Sequence, residues 1–307
     1  MHVHRWTSIA LLPILTASLI ALGCGGSDTG KATKEPPVIG KGGTSGPGPV
    51  TGGGSSGPKT ELAVSGWGSL KGRVTLDGDV PPPSDFRSQI EGHKDKDHCL
   101  KGDISNPTWK IGADKGVANV VVWLSPPAGK YFPMPPNLEQ TFEKEKTLDQ
   151  PECAFIPHVS VLFPAYYDGK TKKMVPTGQT FKVLNSAEIS HNTRWSGSAL
   201  ANPARNETLK PKPPGGPAPY LDVTLKPDRE PIIFNCDFHK WMTAYAWAFD
   251  HPFAAVTDND GNYEIKTVPA GAEVTLNYWH ESMGKTPKSE KITLKAEPNV
   301  KDLQIKR

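Results

Sequence analysis

Hydrophobic and polar positions alternate over short runs along most of the chain, and turn-forming residues separate these runs. "SLKGRVTL" alternates and ends at "DGD", whereas "GVANVVVWL" is almost continuously apolar and ends at "SPP". Similar runs, rich in β-branched and aromatic residues, are "CAFIPHVSVLF", "TFKVLN", "YLDVTL", "PIIFNC", "AYAWAF", "NYEIKTV", "AEVTLNYW", "EKITL" and "VKDLQI". Runs of this kind predict β-strands, and the only helix expected is a short one within residues 138–149. Many short strands separated by turns predict an all-β fold made of sandwiches or barrels.

The N-terminal residues follow a different pattern. A short basic start precedes the apolar run "IALLPILTASLIAL", which is too short to span a bilayer and is typical of a signal-peptide core. The run ends at "ALGC", which resembles the lipobox of bacterial lipoproteins, although Ala21 stands where leucine is usual. The resemblance implies that residues 1–23 are a lipoprotein signal peptide and that an acylated Cys24 anchors the protein to the outer membrane. The alternative is an ordinary secretory signal followed by a free cysteine.

Residues 24–65 are rich in glycine, proline, serine and threonine and contain almost nothing to bury, which predicts a flexible linker. A coil of roughly 40 residues has a reach of about 35 Å. The folded part is therefore expected to begin near Trp67 and to be held at a distance from the membrane.

The charge balance and the lack of catalytic motifs limit the classes of function. The 307 residues carry a formal net charge of +3, which is too weak to predict a nucleic-acid partner. No phosphate-binding loop, nucleophile–base pair or pair of catalytic carboxylates stands out in the sequence. The chain is therefore not expected to be an enzyme.

The stretch "FNCDFHKWMTAY" places Cys236, His239 and Met242 at a spacing of three and three. Thiolate, imidazole and thioether together suit copper, and methionine is a poor ligand for zinc. A type 1 copper site also needs a second imidazole, which a distant strand must supply. "TGQTFKVLNSAEISHNTRW" offers His191 for this role.

Both segments resemble the cupredoxins, which are Greek-key β-sandwiches that bind copper. "FIPHVSV" and "PTGQTFKVLNSAEISHN" resemble the first half of a small cupredoxin, and "FNCDFHKWM" is similar to the copper loop of amicyanin. The resemblance implies one type 1 copper, with His191, Cys236 and His239 as equatorial ligands and Met242 as the axial ligand. It also implies that Asn192 braces the ligand loop by hydrogen bonds.

The sequence departs from the cupredoxin pattern at two places. Asp237 follows the ligand cysteine where serine or threonine is usual, and "FPAYYDGKTKKMVP" lengthens the first hairpin. The resemblance implies that His239 exposes its ring edge through an apolar patch, where a redox partner docks. At least one of Phe238 and Trp241 is expected on the rim of that patch. The alternatives are that Trp241 packs inward and that the lengthened hairpin is the docking face.

A second resemblance concerns the residues on either side. "LKGRVTLDGDVPPP", "VANVVVWLSP" and "HPFAAVTDNDGNYEIKTVPAGAEVTLNYWHE" are similar to the carboxypeptidase regulatory-like, or transthyretin-like, β-sandwich. The predicted division is a regulatory-like domain made of residues 66–135 and 250–307, with a cupredoxin domain at residues 136–249 inserted into it. Two tandem domains or one fused sandwich are the alternatives.

Four cysteines have to be assigned. Cys24 is assigned to lipid and Cys236 to copper, which leaves Cys99 and Cys153. Disulfides persist in exported proteins. A bridge between these two cysteines is therefore expected to join the inserted cupredoxin domain to the regulatory-like domain.

The remaining histidines are expected to have structural roles. His93 and His98 flank the charged run in "HKDKDHC", which is typical of a solvated loop. His158 lies on an expected strand and is interpreted as a packed residue. His251 and His280 could contribute to a second metal site, but packing is the simpler interpretation.

The resulting hypothesis is an exported blue-copper protein that carries single electrons between redox proteins of the periplasm or membrane. The alternatives are a periplasmic copper carrier or storage protein, and a metal-free surface scaffold that retains the fold.

Overall fold

The computed structural model describes residues 59–307, and all of these belong to one compact unit. The predicted signal peptide, Cys24 and most of the predicted linker lie outside the described residues. No helix within residues 59–307 is long and apolar enough to cross a membrane.

The described chain is almost entirely β-structure. The strands are β1 (Thr60–Glu61), β2 (Gly66–Asp77), β3 (Val121–Ser125), β4 (Lys130–Tyr131), β5 (Glu145–Leu148), β6 (Val159–Leu162), β7 (Ala165–Asp168), β8 (Lys173–Pro176), β9 (Thr180–Leu184), β10 (His191–Ser196), β11 (Arg205–Leu209), β12 (Tyr220–Asp222), β13 (Ile232–Asn235), β14 (Thr243–Ala248), β15 (Ala254–Val256), β16 (Asn262–Ala270), β17 (Glu273–Trp279), β18 (Lys288–Thr293), β19 (Pro298–Val300) and β20 (Leu303–Lys306). The helices are α1 (Arg87–Glu91), α2 (Lys96–Cys99) and short 3-10 turns at Pro107–Trp109, Ala113–Lys115, Leu138–Gln140 and Glu281–Met283. The all-β class predicted from the sequence is confirmed.

The first sandwich is built from the two ends of the described chain. One sheet has the order β16-β2-β19, with β20 also paired to β2, and the other has the order β15-β3-β17-β18. Successive side chains of a strand point to opposite faces, so Leu70 and Val74 of β2 meet Val122 and Leu124 of β3 in one buried core.

The second sandwich is built from the middle of the chain. Its sheets have the orders β11-β10-β13-β14-β6 and β12-β9-β5. Phe181 and Val183 of β9 pack against Phe234 of β13, together with Ala244 and Ala246 of β14. The assignment of this part to an inserted cupredoxin domain remains a prediction.

Large aromatic side chains join the two sandwiches. The alternate residues of β14 that point away from the second core include Trp247, which packs on Trp123 of β3 and Trp279 of β17 with ring centroids 4.7 and 5.5 Å apart. All three indoles are buried. Because Val122 and Leu124 fill the other face of β3, this strand is buried on both faces, which explains its nearly continuous apolar sequence.

Two local predictions are wrong. Residues 138–149 form a 3-10 turn and strand β5 rather than a helix, because β5 pairs in parallel with β9 and buries Leu148 in the second core. The run "HKDKDHC" is not a solvated loop. It belongs to the segment 86–104, which contains α1 and α2 and packs Ile90 and Cys99 into the second core. We call residues 86–104 the cap segment.

Candidate metal centre

The four predicted copper ligands lie at one end of the second sandwich. His191 is the first residue of β10, and Cys236 directly follows β13, its antiparallel neighbour. His239 and Met242 lie in the loop that joins β13 to β14. All four side chains are buried, with exposed fractions of 0% for both histidines and 2% for Cys236 and Met242.

Three of these residues point their ligand atoms at one another. The Sγ atom of Cys236 lies 3.7 Å from Nδ1 of His191 and 3.7 Å from Nδ1 of His239. The two Nδ1 atoms are 3.1 Å apart. A first-row ion about 2.3 Å from a thiolate and about 2.0 Å from each imidazole keeps these atoms within roughly 4.3 Å of one another. The residues therefore fit a single metal ion without rearrangement of the three side chains.

The local electrostatics keep both imidazoles neutral at physiological pH. Burial, and then the neighbouring His239, lower the pKa of His191 to about 3. Burial also lowers the pKa of His239, against the opposing effect of a hydrogen bond to Asp95. Burial raises the pKa of the Cys236 thiol. The metal-free centre is thus two neutral rings and a thiol, and metal binding has to displace the thiol proton.

Met242 is buried in the same core as Cys236. The backbone N–H of Cys236 donates to the carbonyl of Met242 at 3.4 Å, and the N–H of Met242 donates to the carbonyl of His239 at 2.9 Å. These bonds close the loop into a tight turn that holds the three loop residues together.

Asn192 braces this loop from β10, as the cupredoxin resemblance implied. Its Oδ1 atom accepts the backbone N–H groups of Asp237 at 2.7 Å and Phe238 at 3.3 Å. The same oxygen lies 3.3 Å from the Sγ atom of Cys236. One side chain therefore fixes the backbone on the C-terminal side of the cysteine and contacts its sulfur.

Asp237, the departure from the cupredoxin pattern, has a defined role in the structure. Its carboxylate accepts hydrogen bonds from Arg194 at 2.9 Å, Asn206 at 2.9 Å and Asn192 at 3.0 Å. Burial opposes its ionisation, but these hydrogen bonds hold the pKa of Asp237 below its usual value. Asp237 thus ties the ligand loop to β10 and β11 from the solvent side.

The expectation that His239 exposes its ring edge is wrong. The side chain is fully buried, and its Nε2 atom lies 3.2 Å from Oδ2 of Asp95 in the cap segment. The ring of His93 lies against the same histidine, with centroids 4.8 Å apart. The cap segment therefore covers the edge that the resemblance assigned to solvent.

Phe238 and Trp241, the two aromatic neighbours of His239, differ in exposure and packing. Phe238 is 43% exposed, which fits a rim position. Trp241 is half-buried and its Nε1–H donates to the carbonyl of Cys153 at 3.1 Å. Its ring lies 5.3 Å from that of His239 and 5.4 Å from that of His93, so Trp241 packs beneath the cap segment.

Cys99 and Cys153 are paired, as expected from the cysteine count. Their Sγ atoms are at disulfide distance and their Cα atoms are 5.1 Å apart. The bridge joins α2 to the loop before β6. A further link is the hydrogen bond between Nε2 of His98 and the carbonyl of Pro151 at 3.0 Å.

The other histidines have structural partners. His158 bonds the carbonyl of Thr243 through Nδ1 at 3.0 Å and Glu281 through Nε2 at 2.8 Å. His280 bonds the carbonyl of Thr108 at 2.7 Å. His251 stacks between phenylalanine rings. None of these three histidines belongs to a potential metal-binding group found within residues 59–307.

Sequence reasoning missed His93 and Asp95, which form a potential metal-binding group of their own with His239. The only signal was the mixture of histidine, aspartate and cysteine in "HKDKDHC". No family, curated protein or solved structure matched this chain in the comparisons.

Proposed function

We propose that this protein is a type 1 copper protein that carries single electrons. The observation that supports the proposal best is the convergence of one buried cysteine sulfur and two buried imidazole nitrogens within 3.7 Å of one another. A His₂Cys set with a methionine nearby is the donor set of blue-copper electron-transfer sites. The order of these residues along the chain is that of the cupredoxins.

The proposed roles follow from the chemistry of each side chain. His191 and His239 bind through Nδ1, Cys236 binds as a thiolate, and Met242 is the weak axial ligand. Bound copper supplies a one-electron couple whose potential depends on the axial ligand and on the surroundings of the cysteine sulfur. Asn192 holds the cysteine loop, and the near-complete burial of the four side chains excludes water.

The proposed location is the outer membrane, facing the periplasm or the cell surface, and an acylated Cys24 anchors the protein there through the flexible linker. A linker reach of about 35 Å allows the copper domain to meet partners some distance from the lipid. The partner is a redox protein, and the exposed ring of Phe238 beside the covered His239 is one contact for it. Interfaces of this transient kind are small, often below about 1,200 Å².

The deciding experiment is to load the protein with Cu(II) and record visible and EPR spectra. The wild type is expected to show the intense thiolate-to-copper absorption, and Cys236→Ser is expected to abolish it because the sulfur ligand is lost. Met242→Gln is the matched control within the loop, since it is expected to keep the blue colour and shift the reduction potential. A Cys236→Ser protein that is still intensely blue, or a wild type that binds no copper, would contradict the proposal.

Copper carriage or storage is the second candidate, and the complete burial of His239 favours it. A covered site releases its metal slowly, which suits storage. The two functions are separated by comparing rates in one sample. An electron carrier is expected to be reoxidised and re-reduced much faster than it gives up Cu(I) to a chelator.

A further inference from the structure

Among residues 59–307, the outer nitrogen of His239, Nε2, has one acidic hydrogen-bond partner. The Nε2 atom lies 3.2 Å from Oδ2 of Asp95, and the histidine side chain has no exposed surface from which water could replace that partner. Asp95 itself is one-fifth exposed. A carboxylate can only accept a hydrogen bond, so the favourable arrangement places the His239 proton on Nε2.

The Nδ1 atoms of His191 and His239 lead independently to the same tautomer of His239, with its proton on Nε2. The Nδ1 atoms of His191 and His239 face each other at 3.1 Å, so in the metal-free protein one of them carries a proton and the other a lone pair. Nε2 of His191 is buried and has no hydrogen-bond partner among residues 59–307. A proton there would be a buried donor without an acceptor, which is unfavourable. In the metal-free protein the proton of His191 therefore belongs on Nδ1, pointing at the lone pair on Nδ1 of His239. Metal binding through this nitrogen has to remove the proton from Nδ1.

We infer that Asp95 is a positioning residue that selects the tautomer of His239, so that Nδ1 presents its lone pair to the centre formed with Cys236 and His191. The inference rests on the proposed metal function of that centre. With this tautomer the three groups form one chain, from His191 Nδ1–H to His239 and from His239 Nε2–H to Asp95. The opposite tautomer would turn a lone pair toward the carboxylate and leave a buried donor on His191 without an acceptor.

The cap segment is held firmly enough to perform this role. Ile90 is 1% exposed and packs in the second core, and the disulfide fixes Cys99, four residues after Asp95. The two disulfide sulfurs and a ring nitrogen of His239 all lie within 4.8 Å of one another. The backbone N–H of Asp95 also donates to Nδ1 of His93 at 3.2 Å. Asp95 is thus anchored from both sides along the chain.

The first test uses the metal-free protein, so it does not depend on copper. Long-range ¹H–¹⁵N spectra distinguish protonated from unprotonated ring nitrogens. In the wild type, His239 is expected to carry its proton on Nε2 and His191 on Nδ1. In Asp95→Ala the preference of His239 is expected to be lost, whereas Asp95→Asn retains an acceptor oxygen and is expected to restore it. A wild-type His239 protonated on Nδ1 would overturn the inference, whether or not the protein binds copper.

The second test is the affinity for Cu(II). Loss of a carboxylate that orients a ligand histidine typically lowers metal affinity by about 10–100-fold, and we expect this loss in Asp95→Ala. Asp97→Ala is the matched control, because Asp97 is exposed in α2, two residues after Asp95, and carries the same charge. Equal affinities of the two variants would overturn the inference while leaving the copper function intact. A wild type with the expected tautomers and no copper binding would overturn only the proposed function.

Discussion

Asn192 is the residue on which the geometry of the cysteine loop depends most directly. Its amide oxygen accepts two backbone N–H groups of the loop, and its amide nitrogen donates to Asp237 and Asn206. The side chain is 2% exposed, so water cannot replace it without local opening.

We predict that Asn192→Ala lowers the free energy of unfolding of the metal-free protein by about 1–3 kcal/mol, because two partly buried backbone donors lose their acceptor. Urea denaturation measures the change. Asn206→Ala is the matched control, since Asn206 is exposed and bonds the same aspartate. Its effect is expected to stay within about 0.5 kcal/mol. Equal losses in the two variants would show that the loop is not held by Asn192.

At the scale of elements, the cap segment is joined to the second sandwich by one covalent bond. The disulfide between Cys99 and Cys153 spans 54 positions of the chain. A crosslink of this kind stabilises mainly by restricting the unfolded chain. It also keeps α2 next to the loop that receives the hydrogen bond of Trp241.

We predict that replacing both cysteines by serine lowers the free energy of unfolding by about 2–4 kcal/mol. Urea denaturation of the oxidised wild type and the double variant gives the difference, and the reduced wild type is the control that should match the variant. Non-reducing peptide mapping is expected to recover the two cysteines joined. Free thiols at both positions in exported protein would contradict the pairing.

At the scale of the whole molecule, a buried polar pair joins the two sandwiches beside their shared tryptophans. His158 precedes β6 of the second sandwich and Glu281 follows β17 of the first. Their side chains are 9% and 11% exposed, and the Nε2 to Oε1 distance is 2.8 Å. Burial alone would raise the pKa of Glu281, but the hydrogen bond and charge of His158, with a hydrogen bond from Tyr245, bring it below the ordinary value.

This lowered pKa sets the pH dependence of the contribution of Glu281 to stability. A carboxyl whose folded pKa is depressed contributes its full stabilisation above its ordinary pKa of 4.5, and loses it as the pH falls through the lower folded value. We predict that Glu281→Gln destabilises the protein by about 1.5–3 kcal/mol at pH 7, since a hydrogen bond to a charged group is lost. The difference from the wild type is expected to shrink below pH 4.5.

Chemical denaturation over a pH series checks this prediction. Glu297→Gln is the control, because Glu297 pairs with Lys295 at the surface with 61% of its side chain exposed. Surface pairs contribute between 0 and about 1 kcal/mol. A Glu281→Gln effect that is constant from pH 7 to pH 3 would show that the loss comes from packing rather than from the charge.

The sequence by itself determined the class of the fold and most of its strands. The alternating run "SLKGRVTL" corresponds to β2 and the apolar run in "GVANVVVWL" to β3. Successive residues of a strand point to opposite faces, so the burial of each face determines the pattern of polar and apolar residues in the sequence. The helix expected within residues 138–149 was wrong, since the pairing of β5 with β9 decides that segment and pairing is not local. Strand β10, which carries His191, was not recognised as a strand because four polar residues open it.

The sequence also identified a candidate metal centre, because the three loop residues are neighbours in the chain and His191 was matched through the cupredoxin pattern. Only the tertiary structure decided what covers His239. Asp95 is 144 positions away from His239 along the chain. No motif or periodic pattern in the sequence indicates that these two residues are in contact. The charges of "HKDKDHC" favour solvent when the segment is considered alone. Burial of Ile90 and the disulfide at Cys99 outweigh that preference and fold the segment over the histidine.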